Sequence, residues 1–409
     1  MLRALAVLVS LGFPVAAQAF SQCDTSVLAG PGARVFEEGS NPVASNNYVH
    51  AGYTLRKQVV VVTSSDRGET LGAPVTIFTG QGRAGQLRLA VSHANVYAVW
   101  VQRLRSGGRD LMFDASHDHG TADGWDAPID FGAAQGDLPQ IAVDGDNVHI
   151  AFLRADKTVI ALNSTDDGRT FSAPVAIALG WGEIVAASRG QDVYVSWNDY
   201  AASRFDVIMA VSHDGGATFD VQNLSASRPS SAREPIFGLD QISGRLSLVW
   251  REDVPIQGVY LQSLDAGTTW SDPLPIDTPA RQFMVADDGT YIYLSYLKDF
   301  TIDGVSDWQI YLATSTDGGA SFPSRVNLSG PTGIVQFTDD DQRPIPWILD
   351  GNGALRLTGV EADGVHVWNG RHGHMLAPVY LGAGDTASPA ARSVLWNGPN
   401  KTVMYGVCH

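Results

Sequence analysis

Ser164-Thr165-Asp166-Asp167-Gly168-Arg169-Thr170-Phe171 is the stretch from which the fold can be read. It follows the apolar run Val159-Ile160-Ala161-Leu162 and precedes Ala173-Pro174-Val175-Ala176-Ile177, so it joins two short strands. A Ser or Asp side chain bonds backbone N–H groups a few residues on and closes a tight turn. Gly168 supplies the positive φ such a turn needs, and Phe171 anchors the hairpin to its sheet. The phrase Ser-x-Asp-x-Gly occurs six times, with its Asp at 66, 118, 166, 214, 265 and 317. Successive spacings are 52, 48, 48, 51 and 52 residues. A period near 50 signals a repeat architecture, and a four-stranded propeller blade uses about that much chain.

Between the turns the pattern is that of half-buried strands. In one repeat, Gln140 to Val143, the turn Asp144 to Asn147, Val148 to Phe152 and Val159 to Leu162 lead into the phrase. The pairs Leu87 to Val91 with Val96 to Val101, Ile184 to Ala187 with Val193 to Trp197, Ile236 to Leu239 with Leu246 to Trp250, and Phe283 to Ala286 with Tyr291 to Tyr296 repeat it. A seventh repeat without the phrase runs from Trp347 to Tyr380. Ser393 to Trp396 and Thr402 to Tyr405 then read as the first two strands of a blade. Gln58 to Thr63 and Pro74 to Phe78 read as its last two. The expectation is an all-β chain forming a single β-propeller of seven blades of four antiparallel strands, with six blades as the alternative. One aromatic row, Trp100, Phe152, Trp197, Trp250 and Tyr296, ends the second strand of successive repeats. It reads as packing between blades or as a sugar-stacking platform.

Residues 1–19 read as a secretory signal. Arg3 is the positive end, Ala4 to Val15 the apolar stretch and Ala17-Gln18-Ala19 the cleavage site. The expected domain is then 20–409, exported to the periplasm or secreted, its ring closed by N- and C-terminal strands. The formal charge of −16 disfavours nucleic acid and anionic membrane surfaces as partners, and no segment reads as a membrane span. The two cysteines, Cys23 and Cys408, stand at opposite ends of the mature chain. A ring must join its ends, and an oxidising compartment permits a bond between them.

The six phrases match the Asp box, the bacterial neuraminidase repeat, and the chain resembles sialidase-type propellers over nearly its whole mature length. The resemblance implies that Asp66, Asp118, Asp166, Asp214, Asp265 and Asp317 are structural. It places their turns between third and fourth strands, on the face away from substrate.

The opposite face carries the loops before the first strand and between the second and third. Arg233, Arg281, Arg343 and Arg392 each precede an innermost strand there, and Arg88 lies just inside one. Arg281 and Arg392 share one register, and Arg233 and Arg343 sit a residue or two earlier. Guanidinium groups suit bidentate carboxylate or sulfate recognition, and the resemblance implies an arginine cluster on a sialic acid carboxylate. Neighbouring carboxylates such as Glu234 or Asp339 to Asp341 are the other partners open to them. Sialidases use a Tyr nucleophile activated by a carboxylate, with an Asp acid/base. On that pattern Tyr200 pairs with Glu252 or Glu234, and Asp199 or Asp253 is the acid. Lys298, Asp299 and Glu361 occupy similar loops.

Metal signals are weak: His117-x-His119 and His372-x-His374-Met375 each lack a third ligand, and Asp339 to Asp341 reads as an exposed acidic loop. No metal or cofactor is expected. The leading reading is an exported propeller that binds an acidic glycan or other anionic ligand and cleaves it as a sialidase-like glycosidase or as a polysaccharide lyase acting on uronic acids. The alternative is a non-catalytic binding or assembly-scaffold propeller with a protein partner.

Overall fold

The computed structural model describes residues 23–31, 33–34, 42–105, 107–132, 136–302, 305–330, 345–348, 354–361, 364–371, 374–375, 378–382, 385–390, 393–398 and 402–408. The signal sequence, Asp339 to Asp341, Arg343, His372 and Arg392 lie outside these residues. The described regular elements are all strands, and no helix among them is long and apolar enough to cross a membrane.

The strands form eight antiparallel sheets. Sheet 1 holds Ala33–Arg34, Val43–Ser45, Tyr48–Leu55, Gln58–Ser64 and Val75–Thr79. Sheet 2 holds Ala84–Ser92, Asn95–Arg103, Arg109–Ser116 and Ile129–Asp130, and sheet 3 holds Asp137–Asp144, Asn147–Leu153, Thr158–Ser164 and Val175–Leu179. Sheet 4 holds Gly182–Arg189, Asp192–Ala201, Arg204–Ser212 and Asp220–Asn223. Sheet 5 holds Ala232–Leu239, Leu246–Asp253, Ile256–Ser263 and Leu274–Pro275, and sheet 6 holds Ala280–Asp287, Ile292–Ile302, Val305–Ser315 and Ser324–Asn327. Sheet 7 lies within 345–382. Sheet 8 joins Asp385–Ala390, Ser393–Gly398 and Thr402–Cys408 to Cys23–Ala29.

Two expectations change here. Gln58–Ser64 and Val75–Thr79 do not complete the C-terminal sheet; they pair in series with Tyr48–Leu55. Ala33–Arg34, Val43–Ser45 and Tyr48–Leu55 supply the first strands of sheet 1, and Tyr48–Leu55 buries Val49, Ala51 and Tyr53. The alternation there is broken by His50 and Gly52, which hid the strand. Cys23–Ala29 is instead the fourth strand of sheet 8, placing Cys23 directly opposite Cys408. The described residues therefore form eight sheets where seven were expected.

In sheets 1 to 6 the repeated phrase sits between the third and fourth strands. In sheet 4, Ser212 Oγ donates to Asp214 Oδ1 at 2.7 Å and accepts from the Gly216 N–H at 2.8 Å. Thr218 donates its backbone N–H to Asp214 Oδ1 and its hydroxyl to Oδ2, at 2.9 and 2.7 Å. The Thr218 bonds, joined by Ser212, hold the Asp214 carboxyl down at about 2. Bonds across sheets follow: Asn163 Nδ2 donates to the Gly216 carbonyl at 2.8 Å, and Gln222 Nε2 to the Gly267 carbonyl at 3.1 Å. The Tyr405 hydroxyl of sheet 8 donates to the carbonyl of Gly68, the equivalent glycine of sheet 1, at 3.1 Å. Val403 and Tyr405 share a buried cluster with Ala51, Tyr53, Val60 and Val62.

The aromatic row lies between sheets. Trp100, Phe152, Trp197, Trp250 and Tyr296 are all buried. Trp197 packs with Leu153 and Val159 of sheet 3, and Trp250 with Val207 and Met209 of sheet 4. These rings are unavailable to a sugar, and packing is their role.

Candidate functional site: an aromatic ledge beside paired arginines

The face opposite the repeated turns is shaped by a bulge that recurs in the first strand of sheets 2 to 6. Register slips between Gly85 and Arg88, Asp137 and Gln140, Gly182 and Val185, Arg233 and Ile236, and Arg281 and Met284. At each, one non-glycine residue takes a positive φ: Gln86, Leu138, Glu183, Glu234 and Gln282, between 53° and 59°. A bulge adds one unpaired residue, bends the strand and re-aims a side chain. These residue types carry no sequence signal for that conformation. The bulges lengthen each first strand at its start, so Arg233 and Arg281 fall at one shared register rather than two.

The ledge stands at the edge of sheets 3 to 5. Asp192–Ala201 and Arg204–Ser212 are joined by a two-residue turn, Ala202-Ser203, both at positive φ, the geometry that suits the twist of a hairpin. That turn sets Tyr200 directly opposite Phe205, with ring centroids 4.8 Å apart. Trp181, from the connector Gly180-Trp181-Gly182, completes the cluster at 5.5 Å from Tyr200 and 6.5 Å from Phe205. Gly180 is required there, since a Cβ would meet Trp197 and Val159 at 2.7 Å. Trp181 stays 51% exposed and Tyr200 45%. Lys157 Nζ sits 4.9 Å from the Trp181 ring centroid, and the Arg233 guanidinium lies 3.9 Å over Phe205.

Behind the ledge the charges are paired. Arg233 and Arg251 are direct cross-strand neighbours, an arrangement that repels unless compensated. Asp253 accepts from both, at 2.8 and 2.9 Å, and Glu234 accepts from Arg251 at 3.1 Å. Glu252 is fully buried and bound by Arg228 and by Gln257 Nε2 at 2.9 Å. Burial alone would raise its carboxyl, but the bonds from Arg228 and Gln257 outweigh it and hold the group below its ordinary value. Asp199 accepts the Tyr200 N–H at 2.8 Å and faces Asp206 across the hairpin. Among the described residues, no carboxylate is bonded to the Tyr200 hydroxyl.

The remaining candidates are dispersed. Arg281 stacks over Trp308 at 3.9 Å. Arg88 is buried, its Nε donating to the Pro139 carbonyl at 3.4 Å. Lys298 pairs with Asp277 at 2.6 Å. His117 bonds Asp126, and His119 stacks on Tyr48 at 3.8 Å. No group of metal-binding side chains occurs among the described residues. Arg233, Asp253, Tyr200 and Asp199 are thus the sequence candidates gathered at one edge. Trp181 and Phe205 were missed; a large aromatic between two glycines in a connector was the available signal.

No family model matches the chain, and no curated protein matches it. Among solved structures it is similar to an ulvan lyase described as a new family of polysaccharide lyase, at 13% identity and TM-score 0.51, over 86% of this chain and 96% of that one. The ulvan lyase bound to -[GlcA(1-4)Rha3S]- gives TM-score 0.50 at 13% identity, over 86% and 97%. A prolyl endopeptidase gives TM-score 0.52 at 11% identity, over 86% of this chain and 50% of that one. At these identities the likeness is one of fold.

Proposed function

We propose that the protein is an exported propeller, a ring of eight blades closed between sheets 8 and 1, that binds an acidic glycan on the Trp181–Tyr200–Phe205 ledge. The supporting observation is that two large rings stay exposed, gathered at tilted angles about a third, with cations on both flanks. Apolar side chains gathered at a surface mark a binding site. Sugar rings present apolar C–H faces suited to such a ledge, and Lys157 and Arg233 suit a carboxylate or sulfate substituent.

Cleavage by elimination is the second reading. A uronate lyase needs a cation to neutralise the carboxylate and a base to take the C5 proton as the C4–O bond breaks. Tyr200 and Arg233 flank the same Phe205 ring, and the ulvan lyase shares the fold. The sialidase variant has less support, because Glu252 and Glu234 are bound by arginines rather than by Tyr200.

The test is a panel of neutral, uronic and sulfated oligosaccharides, scoring binding, new reducing ends and unsaturated ends. Trp181→Ala should weaken binding roughly tenfold, about one stacking contact. Tyr200→Phe should keep binding and abolish any unsaturated product. A panel with no ligand, or one bound equally by Trp181→Ala, would overturn the ledge and favour the scaffold reading.

A further inference from the structure

The hairpin tips and connectors beside the ledge carry cations that no carboxylate neutralises. Arg56, Lys57, Arg83, Arg103 and Lys157 are all exposed, and among the described residues none has an ion-pair partner. Most arginines around the ledge differ, each being tied to Asp or Glu.

Backbone bonds gather four of these five residues. The Lys57 carbonyl accepts the Gly80 N–H at 2.9 Å, and the Arg56 carbonyl accepts the Ala84 N–H at 3.0 Å. The Arg83 carbonyl accepts the Arg103 N–H at 2.8 Å. The tips of sheets 1 and 2 are therefore laced to one connector, 80–84. Sheet 3 repeats the arrangement, with the Lys157 carbonyl accepting the Gly180 N–H at 2.7 Å, beside Trp181. Between the tips of sheets 2 and 3 lies a cavity of about 230 Å³, lined by Arg109, Asp137, Arg154 and Lys157 among others. Lys157 thus belongs both to the cavity and to the ledge.

We infer that this face of sheets 1 to 3 is a cationic track that continues the ledge, so that the ligand is a polyanionic glycan chain several sugars long. The inference rests on the ledge reading and extends it. Exposed like charges on tips joined through their backbones repel one another at low salt, and a bound polyanion relieves that repulsion. The chain as a whole is at −16, so this sector is local and opposite in sign. The repeated turns put Asp66, Asp118 and Asp166 at the other ends of the same sheets. A chain with an anionic group on alternate sugars would place its rings on Trp181 and Tyr200 and its charges along Lys157, Arg103, Arg83 and Lys57. Carboxylates and sulfate esters share the required chemistry.

The probes are chondroitin sulfate, the same chain chemically desulfated, neutral cellohexaose, and single-stranded DNA of similar charge. The variants are Arg83→Ser/Arg103→Ser and Trp181→Ala. The charge variant should lose roughly tenfold or more in affinity for the anionic chains at about 0.05 M salt, and much less at about 0.5 M. Its cellohexaose binding should equal wild type. A loss with both chondroitins assigns the track to carboxylates, and a loss with the sulfated chain alone assigns it to sulfates. Either result supports the track. Undiminished binding of both anionic chains at low salt, no binding of either chain by wild type, or DNA bound as tightly as the glycans and independently of Trp181 would overturn it. Where Trp181→Ala changes nothing and the charge variant does, the ledge falls and the track stands. The converse leaves the ledge and removes the track.

Discussion

At the residue scale, the chain concentrates polar atoms at its repeated turns and satisfies them there, and Asp114 is the contrast. It lies buried in sheet 2, one oxygen accepting the Ala115 N–H at 2.8 Å and the other without a donor among the described residues. Burial pushes its carboxyl up to about 7, from an ordinary 3.8. In the unfolded chain the group gives up its proton near 3.8, while the folded protein keeps it. Stability therefore falls as pH rises from about 4 to about 7 and is level beyond. Asp114→Asn keeps the shape and removes the titration. It should raise the unfolding free energy by something on the order of 2–4 kcal/mol at about pH 8 and by little near pH 3. Denaturant unfolding at both values checks this, and an equal effect at both would show that Asp114 is not held neutral. The role of Asp114 was not legible in the sequence, because its burial comes from how sheet 2 packs rather than from its neighbours along the chain.

At the element scale, strands and turns follow from short-range chemistry, and the packing row follows from their repetition. Trp100 shares a buried cluster with Val59 and Val61 of sheet 1, and its indole N–H has no partner among the described residues. Trp100→Ala should cost about 3–5 kcal/mol through the cavity it leaves. Trp100→Phe should cost less than that, because it also deletes an unsatisfied buried donor. Urea unfolding of the two variants measures the difference. Stacking on the ledge, read with neutral cellohexaose, should be unchanged in both, since the ledge stands on other sheets; altered binding by the Phe variant would return the row to the ligand. The bulges belong to this scale and escaped the sequence. Gln86, Leu138, Glu183, Glu234 and Gln282 share no chemistry that favours a positive φ. What they share is a place at the start of the first strand of a sheet, where the chain bends as it enters from the connector.

At the scale of the whole molecule, the N-terminal strand matters most. Cys23–Ala29 pairs with Thr402–Cys408, and Cys23 faces Cys408. A bond between them would close a loop of nearly the full chain, worth about 6 kcal/mol on the chain-entropy account. Intact mass with and without reduction, both after alkylation, should show two thiols blocked until reductant is added. Reduction should also lower the unfolding midpoint. Two thiols alkylated without reductant would mean that strand pairing alone holds the ends.

The sequence by itself determined the strand-rich class, the repeat near 50 residues and the position of each repeated turn between third and fourth strands; Tyr200, Asp199 and Asp253 came as candidates from the resemblance to sialidases, and Arg233 from its register. The class, the repeat and the turns depend on contacts within a few residues or on a period along the chain. The tertiary structure decided that Ala33–Arg34, Val43–Ser45 and Tyr48–Leu55 complete a sheet with Gln58–Ser64 and Val75–Thr79, and that Cys23–Ala29 completes the last one. It also decided that Glu252 answers to Arg228, and that Trp181, Tyr200, Phe205 and Arg233 meet. Those residues come from a connector, a hairpin and a neighbouring first strand. Their meeting depends on how adjacent sheets pack and on where the bulges turn the backbone, and neither leaves a period to read.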